Sequence, residues 1–353
     1  MFSVPNEDLA HIWDKAPRSL SRLHDSRIFI TGGTGFFGLW LLQSIAYAVN
    51  YFGLKTEVTV LTRDHHTFLN KVPHLAKMPW LHFLLGDIKT ISFPTGGFTH
   101  IIHAATDASA KLNEENPLEM FDTIVAGTRH ILEWAVTTNV KHFLFVSSGA
   151  VYGKQPPSLL MVPESYLGSI DPLQTRSAYG LSKLLAEHLC LLFIKQHQLP
   201  IKIARCFAFV GPHLPLTTHF AIGNFIANVI KDEPIEVKGD GSPYRSYLYA
   251  ADLVIWLWTI LCEGTLGSVY NVGSEQAISI ADLAKLISQK VIPSLPVVIA
   301  NERKTRALPE RYVPHTKRAE QELNLHQWID LSHAISKTIE WNKHYAKSKS
   351  FYS

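Results

Sequence analysis

The sequence has 353 residues, of which 46% are hydrophobic and 18% are charged. It is therefore long enough to bury a large core, as one large domain or as two moderate ones. The formal net charge is only +3, from 33 basic and 30 acidic residues without a basic block. This balance argues against nucleic acid or an anionic membrane as the main partner.

Cysteine usage and the N-terminus indicate a cytoplasmic protein. Cys190, Cys206 and Cys262 match no metal-ligand spacing, so we expect buried apolar thiols and no metal site. Sparse cysteine is typical of a reducing compartment. The first residues, MFSVPNEDLA, lack the basic and apolar regions of a signal peptide. The apolar run 253–262 is too short to cross a bilayer.

A mixed, polar leader, residues 1–26, precedes the regular part of the chain and predicts an amphipathic helix over 5–25. Apolar strands then alternate with helices near 39–49, 65–77, 114–137 and 175–197. The predicted strands are RIFIT, EVTVLT, LHFLLG, THIIHAA, HFLFVSS and IKIARC. Continuous apolar strands that alternate with helices indicate a parallel sheet covered on both faces. We therefore predict an α/β fold, a Rossmann-type doubly wound sheet, over residues 27–211.

The alternation ends after Gly211 and Pro212. Short predicted strands (EVKG, SYLYA, SVYNVG and PVVIA) mix there with helices near 219–231, 251–262, 279–289 and 331–345. This pattern predicts a smaller α+β region over residues 212–353, interleaved with the first domain. Because open α/β sheets bind ligands at the C-terminal edge of their strands, we expect this region to close over that edge and to bind substrate.

A glycine-rich turn, TGGTGFFG, follows the first strand and begins a helix. Gly32, Gly35 and Gly38 suit a tight turn, a close backbone approach to a pyrophosphate and close packing of the helix on the sheet. The helix N-terminus presents free N–H groups to phosphates. We predict a dinucleotide site that includes Phe36 and Phe37, and the alternative is a turn with a structural role only.

The choice of dinucleotide depends on the end of the second strand. Thr62 stands where NAD enzymes usually carry an acid that binds the ribose hydroxyls, and Arg63 suits a 2′-phosphate. We therefore favour NADP over NAD. The rival interpretation keeps NAD, with Asp64 or Thr62 on the ribose and Arg63 on the adenine. Asp87 and Ile88 follow the third strand, and Asp87 is predicted to accept a bond from the adenine amino group, or else to cap a turn.

Tyr179 and Lys183 form a Y-x-x-x-K pattern on a predicted helix, so phenol and ammonium share one face. A nearby ammonium lowers the pKa of a phenol and makes it a better base at neutral pH. Ser148 ends the preceding strand, where its hydroxyl can bind a substrate oxygen beside the tyrosine. The three residues together predict proton and hydride transfer at a hydroxyl-bearing carbon.

Eight motifs in this order resemble the extended short-chain dehydrogenase/reductase family, the NAD-dependent epimerase/dehydratase group. They are TGGTGFFG, GDI, HAAT, SSGAVYG, SAYGLSK, RCFAFVGP, GDGSPYRSYLYAADL and YNVGS. The resemblance covers residues 27–345 and implies a homodimer, a tightly held nicotinamide cofactor and a nucleoside-diphosphate sugar. It also implies that Tyr179 is the catalytic acid/base, that Lys183 holds the nicotinamide ribose, and that Ser148 orients the sugar oxygen.

The same resemblance implies further binding residues. Arg245, after a G-D-G turn, and Arg311 would bind the substrate diphosphate, for which a bidentate guanidinium is well suited. The alternative for each arginine is a surface ion pair. Ala104 and Ala105 lie where the family's backbone passes the cofactor, whereas His103 is expected only to pack at the strand end.

Three departures from the family pattern bear on the reaction. Gly149 and Ala150 stand where family dehydratases carry an Asp-Glu pair, and neither can move a proton. Ile124 and Ala208 replace asparagines of two further motifs, so the particular substrate cannot be inferred from the resemblance. The first functional candidate is a nucleotide-sugar 4-epimerase, and the second is an NADPH-dependent ketoreductase. A dehydratase, a decarboxylase and a non-catalytic dinucleotide-binding sensor are the remaining alternatives.

Overall fold

Strands and helices alternate through most of the residues that the computed structural model describes, which are 3–105, 110–218, 220–302 and 308–350. The strands are β1 Ser26–Thr31, β2 Thr56–Thr62, β3 Leu81–Leu85, β4 His100–His103, β5 His142–Ser148, β6 Ile201–Cys206, β7 Phe209–Val210, β8 Ile235–Val237, β9 Tyr244–Arg245, β10 Leu248–Tyr249, β11 Val269–Val272, β12 Ile278–Ser279, β13 Val297–Ile299 and β14 Arg311–Tyr312. The helices are α1 Asn6–Lys15, α2 Pro17–Arg22, α3 Phe36–Phe52, α4 His66–Lys71, α5 Ala110–Glu115, α6 Pro117–Thr138, α7 Ala178–His197, α8 Ala221–Lys231, α9 Ala250–Glu263, α10 Ile280–Ser288, α11 Lys317–Leu323 and α12 Leu331–Ser350.

The central sheet of the described chain has seven strands in the order β3-β2-β1-β4-β5-β6-β11. Every neighbouring pair in it is parallel. The first six strands have the order of a doubly wound dinucleotide-binding sheet, in which the chain reverses direction across β1 and β4. The predicted fold class is therefore confirmed, and the reversal places a crevice at the C-terminal ends of these two strands.

The seventh strand, β11, corrects one prediction. The segment SVYNVG was expected in the smaller α+β region, but Val269–Val272 pairs with β6 and extends the central sheet. Helix α9 likewise packs against β5 and β6, and its residues are almost all buried. Whether a strand joins the central sheet depends on which strand it pairs with in three dimensions, and the local pattern of six residues does not contain that information. The division of the chain at residue 211 stays a prediction.

Prolines divide three helices that were predicted as continuous. The leader forms α1 and α2, which meet at Ala16 before Pro17. The helix predicted over 114–137 is divided at Asn116 before Pro117, and a short 3-10 helix follows α4 from Pro73. The residue before proline is sterically disfavoured in the helical region, whereas proline is well tolerated in the first turn of a new helix.

The leader is part of the core. Helix α1 packs against α3 and α9, with Trp13 only 2% exposed. The Trp13 indole donates to the Ser44 carbonyl at 2.8 Å. The Tyr249 hydroxyl, just before α9, donates to the buried Asp8 carboxylate at 2.6 Å. Residues that precede the first strand are thus tied to an element formed more than two hundred positions later.

One stretch of the described residues, Thr175–His197, is long and apolar enough to cross a membrane when judged only by length and composition. It coincides with α7, which packs against α6, β5 and β6. The central helix of a folded domain satisfies the same criterion.

Candidate active site

The glycine-rich turn lies between β1 and α3, against the end of β4. Gly32 has a φ of +72°, and a Cβ there would lie 2.4 Å from the Ala104 carbonyl oxygen. A Cβ on Gly38 would lie 2.3 Å from the Cα of Gly33, so helix and turn are in direct backbone contact. The Thr31 hydroxyl accepts bonds from the N–H groups of Ala104 and Ala105 at 3.1 and 3.0 Å. The predicted cofactor residues of the first and fourth strands are therefore adjacent.

Helix α3 begins at Phe36, and its first N–H groups face this turn. The Phe37 ring packs edge-on against Phe209 at 5.1 Å, and both phenylalanines pack against the core. Phosphate binding by the backbone N–H groups of residues 36 and 37 stays a prediction. His103 is buried between the hydroxyls of Thr31 and Thr128, as expected for a packing residue.

Of the two charged residues at the end of β2, Asp64 has hydrogen-bond partners, whereas Arg63 has none among the described residues. The Asp64 carboxylate accepts bonds from the N–H groups of His66 and Thr67, which caps α4. The Thr62 hydroxyl is bonded to the backbone of Asp64. Arg63 is exposed and forms no hydrogen bond or ion pair with the rest of the described chain. The acid nearest to the expected ribose position is therefore occupied, whereas the guanidinium is free.

The structure supports the turn-capping alternative for Asp87. Its carboxylate accepts a bond from the Lys89 N–H at 2.8 Å, and its carbonyl accepts bonds from Thr90 and Ile91. Ile88 is buried against Gly127 of α6. Contacts of Asp87 and Ile88 with adenine stay a prediction.

The three predicted catalytic residues converge at the C-terminal end of β5. Ser148 is the last residue of β5, and its hydroxyl accepts a bond from the Ala150 N–H at 3.1 Å. Tyr179 and Lys183 occupy successive turns of α7, which packs against β5. Asn113 fixes the start of this helix, since its side chain accepts a bond from the Tyr179 N–H and donates one to the Arg176 carbonyl.

Burial shifts the pKa values of both Tyr179 and Lys183 toward the neutral form. It raises the pKa of Tyr179 to about 12, and interaction with the Ser148 hydroxyl offsets only part of that rise. Burial also lowers the pKa of Lys183 to about 8, opposed by the nearby Cys206 and Glu187. The Lys183 ammonium donates to the Val146 carbonyl at 2.8 Å. The expected lowering of the Tyr179 pKa by Lys183 is therefore absent from this arrangement, because the phenol is desolvated and the ammonium is held by the strand.

A buried ion pair between Glu187 and Arg205 lies next to the three predicted catalytic residues. Glu187, one turn beyond Lys183 on α7, accepts three bonds from Arg205 of β6, the shortest at 2.6 Å. It also accepts a bond from the Ser147 hydroxyl at 2.5 Å. This carboxylate thus connects the helix that carries Tyr179 and Lys183 to the strand that ends in Ser148. Sequence reasoning missed Glu187, although its i+4 spacing from Lys183 was a visible signal.

A second residue missed by sequence reasoning is Tyr312. Its phenol interacts with the Ser148 hydroxyl, and burial raises its pKa above the ordinary value. A Cβ on Gly149 would lie 2.7 Å from the Tyr312 hydroxyl and 2.7 Å from the ring of Phe207. The space beside Ser148 that a larger side chain at position 149 would need is therefore filled by aromatic groups.

The two predicted diphosphate arginines lie on neighbouring strands of a small sheet, β12-β9-β14. Arg245 is aligned with Tyr312, and Arg311 is aligned with Tyr244. Because aligned residues share a face, Arg245 and Tyr312 point to one side and Arg311 to the other. The Arg311 guanidinium stacks on the Tyr244 ring at 4.4 Å. The structure thus brings Arg245, but not Arg311, to the Tyr312 side of the sheet, and diphosphate binding by either arginine stays a prediction.

Three further features bear on alternative chemistry. Cys190, Cys206 and Cys262 are buried free thiols, as expected. Within the described residues, no group of three or more His, Cys, Asp or Glu side chains is placed to hold a metal ion. The Glu164 carboxylate accepts a bond from the Asn271 N–H at 2.9 Å, and so belongs to the structural network around Arg205.

A doubly wound sheet with a glycine turn at β1 and a serine, tyrosine and lysine at the end of β5 defines a dinucleotide-dependent oxidoreductase fold of the short-chain dehydrogenase/reductase type. Residues 28–273 match the family model described as the NAD dependent epimerase/dehydratase family, and the chain belongs to that family. The predicted family is confirmed.

Curated relatives of this chain include decarboxylases. UDP-glucuronic acid decarboxylase 1 of Arabidopsis thaliana is 28% identical over 89% of this chain and 69% of its own length. UDP-glucuronic acid decarboxylase 5 of the same plant is 29% identical over 80% of this chain and 82% of its own length. These identities support a nucleotide-sugar-modifying family without fixing the reaction.

Solved structures share the fold. UDP-glucose 4-epimerase from Thermotoga maritima, with UDP-glucose, has a TM-score of 0.76 at 20% identity and covers 91% of this chain and 99% of its own. DesIV, a dTDP-glucose 4,6-dehydratase from Streptomyces venezuelae with NAD bound, has a TM-score of 0.75 at 23% identity, with coverages of 92% and 98%. An epimerase and a dehydratase thus resemble this chain equally in fold.

The Glu187 contact generates a prediction about pH. If the Lys183 ammonium binds the cofactor ribose, cofactor affinity falls as pH rises through about 8, where the ammonium is lost. Glu187→Gln removes a charge that raises the pKa of Lys183, so the midpoint of this fall should move to lower pH. Cofactor fluorescence titrations from pH 6 to 10 measure it. Glu57→Gln, exposed near the N-terminal end of β2, is the control and should keep the wild-type midpoint. A folded Glu187→Gln protein with that same midpoint contradicts the assignment.

Proposed function

We propose that this protein transfers hydride between a nicotinamide cofactor and C4 of a nucleoside-diphosphate sugar, and that it uses this transfer to epimerise C4. The observation that carries the proposal is the placement of Ser148, Tyr179 and Lys183 at the sheet edge, beside the glycine turn. The family membership, and the nucleotide sugars named for relatives and structural neighbours, agree with it.

Each residue has a definable task in this reaction. The bound nicotinamide supplies hydride acceptance and return. Ser148 holds the C4 oxygen by a hydrogen bond, and Tyr179 takes its proton as the C4–H bond breaks. Burial raises the pKa of the phenol, so Tyr179 needs a positive charge nearby to act as a base. We propose that Lys183, one helical turn away, provides this charge once its ammonium leaves the Val146 carbonyl. In the return step Tyr179 gives the proton back to the C4 oxygen, and the ketone has turned so that hydride reaches its other face.

Elimination of water does not fit the same site. It requires an acid for the leaving hydroxyl and a base for the C5 proton, in addition to the tyrosine. Gly149 and Ala150 supply neither, and Phe207 and Tyr312 fill the space beside Gly149. The Glu164 carboxylate is bonded to the Asn271 backbone. We therefore propose a reaction without loss of water.

A ketoreductase is the second candidate, and the free Arg63 is the observation that favours it. An unengaged guanidinium at the end of β2, beside an aspartate that caps α4, suits the 2′-phosphate of NADP. An enzyme that consumes NADPH would use only the return half of the cycle. On the substrate side, we propose that Arg245 and Arg311 bind the diphosphate; for this, Arg311 must leave its stacking on Tyr244 at the other side of the small sheet. The buried free thiols agree with the predicted cytoplasmic location.

Product analysis tests the proposed function. UDP-glucose and dTDP-glucose, each with NAD or NADP, should yield the C4 epimer with unchanged mass, and Tyr179→Phe should lower turnover by about 10²-fold or more. A 4-keto sugar with NADPH that gains two hydrogens instead establishes the reductase. UDP-glucuronic acid tests the reaction named for the relatives, since decarboxylation would release CO₂. Loss of one water from either hexose, at a rate near one per second, would overturn the proposal.

The cofactor assignment has its own test. Arg63→Ala should weaken NADP binding by about 1.5–3 kcal/mol, the contribution of a hydrogen bond to a charged group, and leave NAD binding nearly unchanged. Calorimetric titration of both dinucleotides measures the difference. Arg18→Ala, on the exposed surface of α2 and away from the sheet edge, is a suitable control. Equal losses for both cofactors show that Arg63 contacts the adenine and not a 2′-phosphate.

We further propose a homodimer formed by α6 and α7. The sequence places apolar residues at helical spacing on both helices, including Phe121, Val125, Leu132 and Ala135 on α6 and Leu181, Leu184 and Leu191 on α7. Some of them, such as Leu132 and Ala135, pack on their own sheet. Other apolar residues of the two helices remain exposed, namely Leu118, Phe121, Val136, Leu185, Leu191 and Leu192. Two helices from each subunit would cover this surface as a four-helix interface.

Light scattering at micromolar concentration should therefore give twice the chain mass. Leu191→Glu, in the middle of the proposed interface, should shift the protein toward the monomer, because it buries an unpaired charge. Leu167→Glu changes a fully exposed leucine on a loop and should leave the mass unchanged. A monomeric wild type refutes the dimer.

A further inference from the structure

Asn271, in the middle of β11, is fully buried and bonds through its side-chain amide to three separate segments of the chain. Its Oδ1 atom accepts a bond from the Tyr152 hydroxyl at 2.8 Å. Its Nδ2 atom donates to the Val162 carbonyl at 2.9 Å and to the His315 carbonyl at 3.1 Å. Both N–H groups of the amide are therefore engaged, and this asparagine of the YNVGS motif has a definable task.

The three segments belong to different parts of the site. Tyr152 ends the short 3-10 helix that follows Ser148 directly and packs against α7. Val162 lies in the long loop between that helix and α7. His315 comes three residues after β14, which carries Arg311. The amide thus connects the turn after the predicted catalytic serine with the strand of a predicted diphosphate arginine.

The loop and the segment after β14 are also bonded to each other. The Val162 N–H donates to the Val313 carbonyl at 2.9 Å, and the Val162 carbonyl accepts a bond from the His315 N–H at 2.9 Å. The Gln155 side chain, only 3% exposed, accepts a bond from the Val313 N–H at 3.0 Å. Because β14 pairs with β9, and β11 with β6, these contacts join the small sheet to the central sheet.

A buried amide suits this position because its two ends differ in chemistry. Removal of a donor leaves a buried carbonyl unsatisfied, which costs more than the net contribution of the bond. A carboxylate of the same shape could still accept the Tyr152 bond, but it would present lone pairs to the two carbonyl oxygens. The two ends of the Asn271 side chain can therefore be tested separately by mutation.

We propose that Asn271 is a positioning residue that holds β14, and with it Arg245 and Arg311, at a fixed distance from the Ser148 turn. This inference rests on the proposed binding of the sugar diphosphate by the two arginines. The Nδ2 end of the side chain then controls the affinity for the nucleotide sugar. The Oδ1 end, through Tyr152, controls the rate of the reaction at the Ser148 turn. Cofactor binding at the β1 glycine turn depends on neither end.

Two variants separate the two ends, with whichever of UDP-glucose and dTDP-glucose is turned over faster. Asn271→Asp removes both donors and should raise KM for the nucleotide sugar about tenfold, with kcat changed by less than about twofold. Tyr152→Phe removes only the bond to Oδ1 and should lower kcat about fivefold, with KM nearly unchanged. Asn342→Asp removes a donor to the Thr338 carbonyl on α12 and is the control, in which both constants should be unchanged.

Gln155→Met provides an independent variant, because it removes the bond to Val313 and leaves Asn271 in place. It should raise KM and leave kcat nearly unchanged, and it decides the question if Asn271→Asp does not fold. Amide hydrogen exchange of residues 311–315 should be faster in both variants than in the wild type, and unchanged in Tyr152→Phe. Thermal melting and cofactor titration verify that each variant is folded.

Losses that fall equally on kcat and KM in the folded variants, or unchanged constants in a folded Asn271→Asp protein, overturn the inference. A wild type without any turnover refutes the proposed function instead. The comparison is then made by calorimetric titration of UDP. A loss of affinity in Asn271→Asp but not in Asn342→Asp supports the positioning role, and equal affinities refute it. A wild type that does not bind UDP refutes both proposals.

Discussion

The buried ion pair between Glu187 and Arg205 fixes the relation between the helix and the strand on which the proposed chemistry depends. Helix α7 carries Tyr179 and Lys183, and β5 ends in Ser148, but these elements come from separate parts of the chain. Glu187 joins them by accepting bonds from Arg205 and Ser147. A buried pair of this kind adds little net stability, yet loss of one partner leaves an uncompensated charge that costs about 3–5 kcal/mol. The main contribution of the ion pair is therefore to fix the position of α7 relative to β5.

The same site shows how a reaction class can depend on packing. Replacement of an acid pair by Gly149 and Ala150 removes two proton carriers, and it also creates room that aromatic side chains fill. Restoring a carboxylate at residue 149 alone would collide with Phe207 and Tyr312. Conversion to an elimination enzyme would thus require coordinated changes on three segments of the chain. Relatives that differ in reaction can retain one fold because such changes are confined to the edge of the sheet.

Features with a local signal could be predicted from the sequence. Continuous apolar runs identified β1 to β6 within one or two residues, and the glycine turn and Tyr179 with Lys183 follow from spacing. The helix breaks at Pro17 and Pro117 had a local signal too. In contrast, the place of β11 in the sheet and the contact of Tyr312 with Ser148 join segments separated by more than sixty residues. The pKa of Tyr179 was predicted to be lowered but is raised, because the desolvation of the phenol depends on every element around it.

The packing of the leader, residues 1–26, against distant parts of the chain has a consequence for the synthesis of the protein. Asp8 is bonded to Tyr249, and the Ser3 carbonyl accepts a bond from the Trp341 indole, across 241 and 338 positions. A ribosome adds roughly 5–20 residues per second, so the first helix waits for its partners until the last ones have emerged. During that interval the apolar face around Trp13 is exposed to solvent, to neighbouring nascent chains and to chaperones. The first residues therefore find their place in the fold only after residue 341 has emerged, and synthesis that stops short of it leaves them without that place.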